Sequence, residues 1–384
     1  MTEQRMTPPA PDGSAAPHSY PCVGCGARIE YAPGTNALRC PYCGREQAVA
    51  AGDRPVREHP VAELALPRKP VGSVGTYVYV CGTCGAKTET DALSERCQFC
   101  AAPLVADVSA GDLITPEAVL PFAVDRAGVR TALRSWISSR WFAPGSLKKV
   151  SDAESLRGTY IPHWTFDSRT VSDYTGERGE YYWVTETYTE TVNGQAQTRT
   201  RQVRKTRWHR ASGTVSRDFD DVLVVATGQI NNKHLDQLTP WPLESAVGYT
   251  PEYLAGYQTL RYTVEPEQGL ETAKSRMEPI IERDCRDDIG GDEQRVDSVD
   301  TRHFDIMFKL MLLPVWIVCY LYAGRTFQVV VNARTAEVIG ERPYSRLKIA
   351  LAVIAAIVLV VVIAVLFASG HHITIGHHST GRHR

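Results

Sequence analysis

GEYYWVTETYTETVNGQAQTRTRQVRKTRW, residues 179–208, alternates polar residues with β-branched and aromatic ones on both sides of Asn193-Gly194. Asn-Gly is the pair that a two-residue type I′ turn prefers, and period-two alternation around it marks a β-hairpin. Such a turn sets Glu180 opposite Arg207, Val184 opposite Val203, Glu186 opposite Arg201 and Tyr188 opposite Arg199. On the other face Thr187 meets Thr200 and Thr189 meets Thr198, pairings that suit adjacent strands. Taken alone, RTRQVRKTRWHR, with six Lys or Arg and Trp208, reads as a nucleic-acid patch. Pairing with the glutamates partly neutralises it, which favours a salt-laced sheet face whose exposed tip is free to contact a partner.

Around this hairpin, residues 111–343 form one region without a low-complexity break, read as an α+β central domain. GVRTALRSWISSRWF (128–142) has helical apolar spacing, with Trp136 and Trp141 packing it on the core; a second helix is predicted around 267–288, closed by Gly290-Gly291. Cys285 lies in that helix as an inert residue. GTYIPHWTFDSRTV (158–171) and LMLLPVWIVCYLYAG (310–324) share an apolar-Pro-x-Trp core that pairs Pro162 with Pro314 and Trp164 with Trp316. Each is read as a strand entered through proline with its tryptophan inward, and His163 as a packed or exposed histidine rather than a ligand. GRTFQVVVNARTAEVIG predicts two strands around a turn at Asn332 to Thr335.

Upstream, eight of the ten cysteines fall in four C-x-x-C pairs. Cys22, Cys25, Cys40 and Cys43 read C-x2-C-x14-C-x2-C; Cys81, Cys84, Cys97 and Cys100 read C-x2-C-x12-C-x2-C. Two residues between thiolates let one turn present both sulfurs to one ion, and the longer insert is enough for a hairpin that returns the second pair. ARIEYAPGTNALR supplies that hairpin in the first module, and Gly26, Gly44 and Gly85 follow knuckles where a left-handed backbone is expected. Two structural Zn2+ sites, one in each of two small β zinc ribbons, are therefore expected over 20–47 and 76–105. Four thiolates leave no open coordination position, so a structural role is favoured over redox chemistry. Residues 1–19 read as a disordered tail, and 48–75, with four prolines, as a semi-stiff linker that lets the ribbons move independently.

Charge bears on partners. Forty-two basic and forty-three acidic side chains give a net charge of −1, with no global pull toward nucleic acid. Within the ribbons Arg28, Arg39, Arg45, Lys87 and Arg96 are matched by Glu30, Glu46, Glu89, Asp91 and Glu95. Each zinc with four thiolates adds about two negative charges. Tyr31, Tyr42 and Phe99 are candidate base-stacking residues, but protein contact is favoured over nucleic-acid contact. No phosphate-binding glycine loop, nucleophile elbow or H-E-x-x-H appears, and Asp220-Asp221 and Asp287-Asp288 lack a companion histidine, so no enzyme is expected. The polar pairs read as solvated turns.

Near the end, residues 349–370 are uncharged over about 33 Å of helix, against a hydrocarbon core of about 30 Å. With Arg342, Arg346 and Lys348 before it, this reads as a transmembrane helix. It places the chain as a single-pass protein of the cytoplasmic membrane, with the N-terminal bulk in the cytoplasm and 371–384 as a short, histidine-rich external tail. The N-terminus has no apolar run that could serve as a signal sequence, which agrees with reduced cysteines.

YPCVGCG and RCPYCG, GTYIPHWTFD, LLPVWIVCYLYAGRTFQVVVNARTAEVIGERPYS and the C-terminal apolar run together resemble the YdjG-type double zinc ribbon membrane proteins of bacteria. Such proteins also carry the labels TFIIB-type zinc ribbon and primosomal N′-like. The resemblance implies association with phage-shock PspA-like and flotillin-like SPFH proteins in envelope-stress sensing. It departs at Ala336, where glycine is expected in a Thr-Gly-Glu turn. The expected function is a membrane-anchored zinc ribbon adaptor that binds protein partners; the alternative is a membrane-tethered nucleic-acid binder.

Overall fold

The computed structural model describes residues 21–49, 55–66, 77–80, 87–90, 94–96, 103–105, 114–138, 156–192, 195–228, 232–322, 325–340 and 346–370. Its strands are β1 (Glu30–Tyr31), β2 (Ala37–Arg39), β3 (Glu46–Ala48), β4 (His59–Pro60), β5 (Tyr77–Val80), β6 (Lys87–Thr90), β7 (Ser94–Arg96), β8 (Pro103–Val105) and β9 (Ala118–Val119). There follow β10 (Arg157–Val192), β11 (Gln195–Val225), β12 (Val247–Gly248), β13 (Gln258–Thr259), β14 (Glu293–Tyr322), β15 (Arg325–Asn332) and β16 (Val338–Gly340). The helices are α1 (Arg126–Ser138), α2 (Asn232–Asp236), α3 (Pro266–Ile289) and α4 (Arg346–Gly370).

The hairpin register follows the sequence. Glu180 pairs with Arg207, Val184 with Val203, Glu186 with Arg201, Tyr188 with Arg199, Thr187 with Thr200 and Thr189 with Thr198. Asn193-Gly194 lies outside the described residues. At its base β10 also pairs antiparallel with β14, from Arg157 opposite Ile317 to Gly179 opposite Glu293. This three-strand core, β11-β10-β14, is the spine of an eleven-stranded sheet among the described residues.

The two Pro-x-Trp copies sit in neighbouring strands around the Ile161–Leu313 pair, as a local two-fold would place them. Trp164 Nε1 donates to the Val264 carbonyl and Trp316 Nε1 to the Val124 carbonyl, both at 2.9 Å. Val124 and Val264 stand two residues before α1 and α3. Ala226 N donates to Pro162 O and Ala333 N to Pro314 O; Val264 N in turn donates to Ala226 O and Val124 N to Ala333 O. β9 runs parallel to β14 as β13 runs parallel to β10. The weak repeat is thus a duplicated unit of short strand, helix, Pro-x-Trp strand and return strand. Each tryptophan serves the other copy's helix, since Trp316 shares a core with Val129, Leu133 and Ile137 of α1, and Trp164 with Leu270, Ala273 and Met277 of α3.

Several expectations change. The fold is mostly β-sheet, with four α-helices among the described residues, rather than a balanced α+β domain. The apolar spacing of α1 and α3 did signal helices, but β10, β11 and β14 outweigh them in length. Among the described residues no helix is long and apolar enough to cross a membrane. The transmembrane helix, the single-pass membrane placement and the topology derived from them are not upheld. The first ribbon is not independent of the core, because its Ile29, Tyr31 and Leu38 share the cluster of Phe122, Trp316 and Leu254. Part of the linker, β4, pairs with Met307 and Phe308 of β14. Trp141 lies outside the described residues; α1 does pack through Trp136.

Ala336 has φ +64° in the β15–β16 turn, where Asn332 Oδ1 accepts from the Arg334 and Thr335 backbone N–H groups. A left-handed non-glycine residue carries about 1 kcal/mol of strain. Ala336→Gly is therefore expected to raise unfolding stability by about 1 kcal/mol in urea titration. Gly269→Ala should do the opposite despite its helical position, because the added Cβ would meet Trp164 Cδ1 at 2.9 Å.

Candidate metal centre and its surroundings

Cys22 and Cys40 each open a knuckle of the same shape. Gly26 N donates to Cys22 O at 2.8 Å and Gly44 N to Cys40 O at 3.0 Å, while Cys22 N and Cys40 N donate to Ala27 O and Arg45 O. Both glycines are left-handed, at φ +69° and +72°, as the spacing required. β1, β2 and β3 form the antiparallel sheet that joins the knuckles, with the turn of Pro33-Gly34 between the first two strands. The four sulfurs then lie within 4.8 Å of one another. Cys22 Sγ is 3.5 Å from Cys43 Sγ, and Cys25 Sγ is 3.7 Å from Cys40 Sγ.

These separations are too long for a disulfide at about 2.05 Å and match the roughly 3.8 Å between sulfurs placed tetrahedrally at about 2.3 Å from one ion. The electrostatics agree. Backbone N–H groups of Gly24 and Cys25 hold Cys22 down to about 6, and that of Cys43 lowers Cys40. Cys25 moves the other way, to about 12: the Ala27 N–H pulls it down, but the Cys43 thiol, desolvation and the remaining thiols outweigh that pull. Four sulfurs this close cannot all ionise without a cation among them. The residues fit one four-coordinate metal ion, with no position left for substrate. Cys81, Cys84, Cys97 and Cys100 lie outside the described residues. Within their span, β7 joins the main sheet through Ser94, whose Oγ donates to Thr259 Oγ1 at 2.6 Å and Tyr257 O at 2.8 Å.

A glycine sets the ribbon on the core. Gly256, at φ +89°, approaches so closely that a Cβ there would lie 2.8 Å from Glu30 Cβ. Next to it Tyr31 N donates to Ala255 O at 3.0 Å, Gly34 N to Phe122 O at 2.9 Å, and Tyr253 Oη to Asn36 Oδ1 at 2.8 Å. Tyr31 is buried against Tyr253, which removes it from the candidate base-stacking surface. Tyr42 remains 68% exposed beneath Arg28, and Phe99 lies outside the described residues. Arg39 and Arg28 are taken up by Glu46 and Glu30.

No protein-family model matches, and no solved structure matches. One curated relative, named "Uncharacterized protein YdjG", from Bacillus subtilis (strain 168), is 25% identical over 347 residues, 86% of this chain and 92% of the relative. The chain is similar to YdjG. That likeness does not carry the TFIIB-type label.

A second cluster escaped the sequence reading. Lys309, 5% exposed, bonds to Asp221 and, at 2.8 Å, to Glu58, while the Asp221 backbone N–H donates to Asp167 Oδ1 at 2.7 Å. Three carboxylates from three distant segments meet here, at a register shift where Asp221 takes φ +51°. Asp221 is therefore part of an ion-pair network rather than a solvated turn residue, and Asp288 likewise accepts from Tyr174 Oη at 2.6 Å. Burial and the Glu58 carboxyl push Asp167 up to about 7. Burial pulls Lys309 down, but its bonds to Asp221 and Glu58 outweigh burial and hold it above its usual range. Lys309 already supplies the positive charge, so the trio needs no metal. His163 is buried, with Nδ1 3.0 Å from Ile161 O, and desolvation depresses it to about 4, as suits a packed neutral imidazole.

Two outcomes test these sites. Cys25→Ser and Cys43→Ser should each lower bound metal by about one ion per chain in native mass spectrometry, with loss of ribbon stability. Asp167, raised in the folded state, keeps its proton where the unfolded chain has lost it, so its contribution to stability falls as pH rises from about 4 to about 7. Asp167→Asn should remove that slope from urea titrations across the window.

Proposed function

We propose that this chain is a protein-binding adaptor in which a structural zinc ion in the four-thiolate centre fixes the first ribbon on the sheet. The observation that carries the reading is the distal hairpin. β14 pairs with β10 only as far as Gly179, so among the described residues Glu180–Val192 of β10 and Gln195–Arg207 of β11 extend beyond the sheet as a two-stranded arm. Two strands alone are marginal in water, and an arm of this length gains order from whatever it binds. It exposes Trp183 (65%), Tyr182 and Tyr188, with Arg204 over the Tyr181 ring at 4.1 Å and Arg207 over Tyr182 at 5.0 Å. Tryptophan, tyrosine and arginine are the residues on which protein interfaces most often depend.

Nucleic-acid binding is the second reading, since the arm is basic. It is weakened because Arg201 and Lys205 both bond Glu186 and Arg199 bonds Glu190. By family resemblance, PspA-like and SPFH proteins in an envelope-stress system are the first partners to try. Trp183→Ala combined with Arg204→Ala should weaken partner binding at least tenfold while leaving bound zinc unchanged. Binding to DNA or RNA that falls steeply with salt, with no protein partner affected by the arm variant, would favour the second reading instead.

A further inference from the structure

β14 has a second edge that the hairpin does not use. From Ser298 to Phe304 it pairs with β10 in unbroken register, with shifts at either end near Thr175/Gly176 and Asp167/Arg169. Its opposite edge pairs with β4 from Met307, with β9 from Met311 and with β15 from Val315; among the described residues no strand adds to it over 298–304. Val299 and Phe304 are 37% and 39% exposed there. α3 packs chiefly on β11 and β10 and leaves, between itself and this stretch, a groove of about 590 Å3, lined on the strand by Val299, Thr301 and His303 and on the helix by Glu271, Glu278 and Glu282.

The charge of the groove is one-sided. Asp297 at its end adds a fourth carboxylate, and the cation within it, Lys274, is held by Glu271 at 2.8 Å. Glu282 bonds Arg286 one turn further along α3, while Glu278 and Asp297 form no ion pair among the described residues. Charged residues commonly blunt an edge strand, but they do so from the strand itself. Here three of the four carboxylates stand on the helix and line the groove beside the 298–304 strand.

We propose that this groove takes an extended basic segment of a partner protein, about seven residues long, as an added strand on the 298–304 edge of β14. Main-chain hydrogen bonds to the edge give affinity, and alternate side chains of the segment project beneath α3. Lys or Arg at those positions meets Glu278, Glu282 and Asp297; the remaining positions face away and tolerate any residue that extends. The site is separate from the arm, so either can fail alone.

The test uses the full chain and three labelled heptapeptides, read by fluorescence anisotropy: Lys and Val alternating, the same with Glu for Lys, and the Lys peptide N-methylated on alternate backbone nitrogens. The Lys peptide should bind, the other two at least tenfold more weakly. Glu278→Lys with Glu282→Lys should lose the Lys peptide and gain the Glu peptide, with circular dichroism unchanged. Glu278→Gln with Asp297→Asn, a milder pair, should weaken the Lys peptide by several fold. Trp183→Ala with Arg204→Ala should leave its affinity as it was. Equal binding of the N-methylated peptide, indifference to both groove variants, or loss of binding in the arm variant would each overturn the proposal.

Discussion

Everything in the sheet hangs on the antiparallel pairing of β10 with β14 about Ile161 and Leu313. It brings two tryptophans to equivalent places on opposite sides of one pair, and each finds a backbone carbonyl just ahead of a helix in the other copy. A buried indole without a partner for its N–H carries a desolvation penalty of about 1–3 kcal/mol, so this bond decides where the tryptophan sits as much as the packing does. α1 and α3 are then held over their faces by the segments those carbonyls belong to. The ribbon docks on the α1 side and the linker strand β4 on the α3 side, so the four-thiol cluster inherits its position from the same pair of strands.

Elements whose geometry is dictated by neighbours in sequence were legible. The register expected from the Asn-Gly pair in the sequence holds for every pairing from Gly179 to Val192. Cysteine spacing named the four thiols that meet in the first ribbon, because a knuckle needs two thiols two residues apart and a left-handed glycine behind. Gly290-Gly291 closed α3 as read. Of the duplication only proline and tryptophan showed, since the other positions have merely to be apolar and any residue can offer a carbonyl.

What escaped was contact at long range. The seat of Tyr31 depends on Gly256 and Tyr253, more than two hundred residues away, and nothing near Tyr31 announces them. Lys309 sits in an apolar run where a single cation looks incidental until Glu58 and Asp221 are brought beside it. Hydropathy misled in the opposite sense. An apolar run was read as a membrane crossing from composition, whereas among the described residues no helix is long and apolar enough to cross. The ratio of helix to strand was also misjudged, because long β-strands with polar outer halves lack the continuous apolar signal of a buried strand.

The exchange of tryptophans between the two copies has a further meaning. Two separate chains, each a short strand, helix, Pro-x-Trp strand and return strand, would make the same contacts across a true two-fold and form an obligate homodimer. Joined in one polypeptide, the copies no longer have to stay alike. One carries a long hairpin arm and the other a short return strand, while the ribbon sits beside only one of the helices. The duplicated sheet is thereby directional, with the four-thiolate ribbon on one side and the hairpin arm on another.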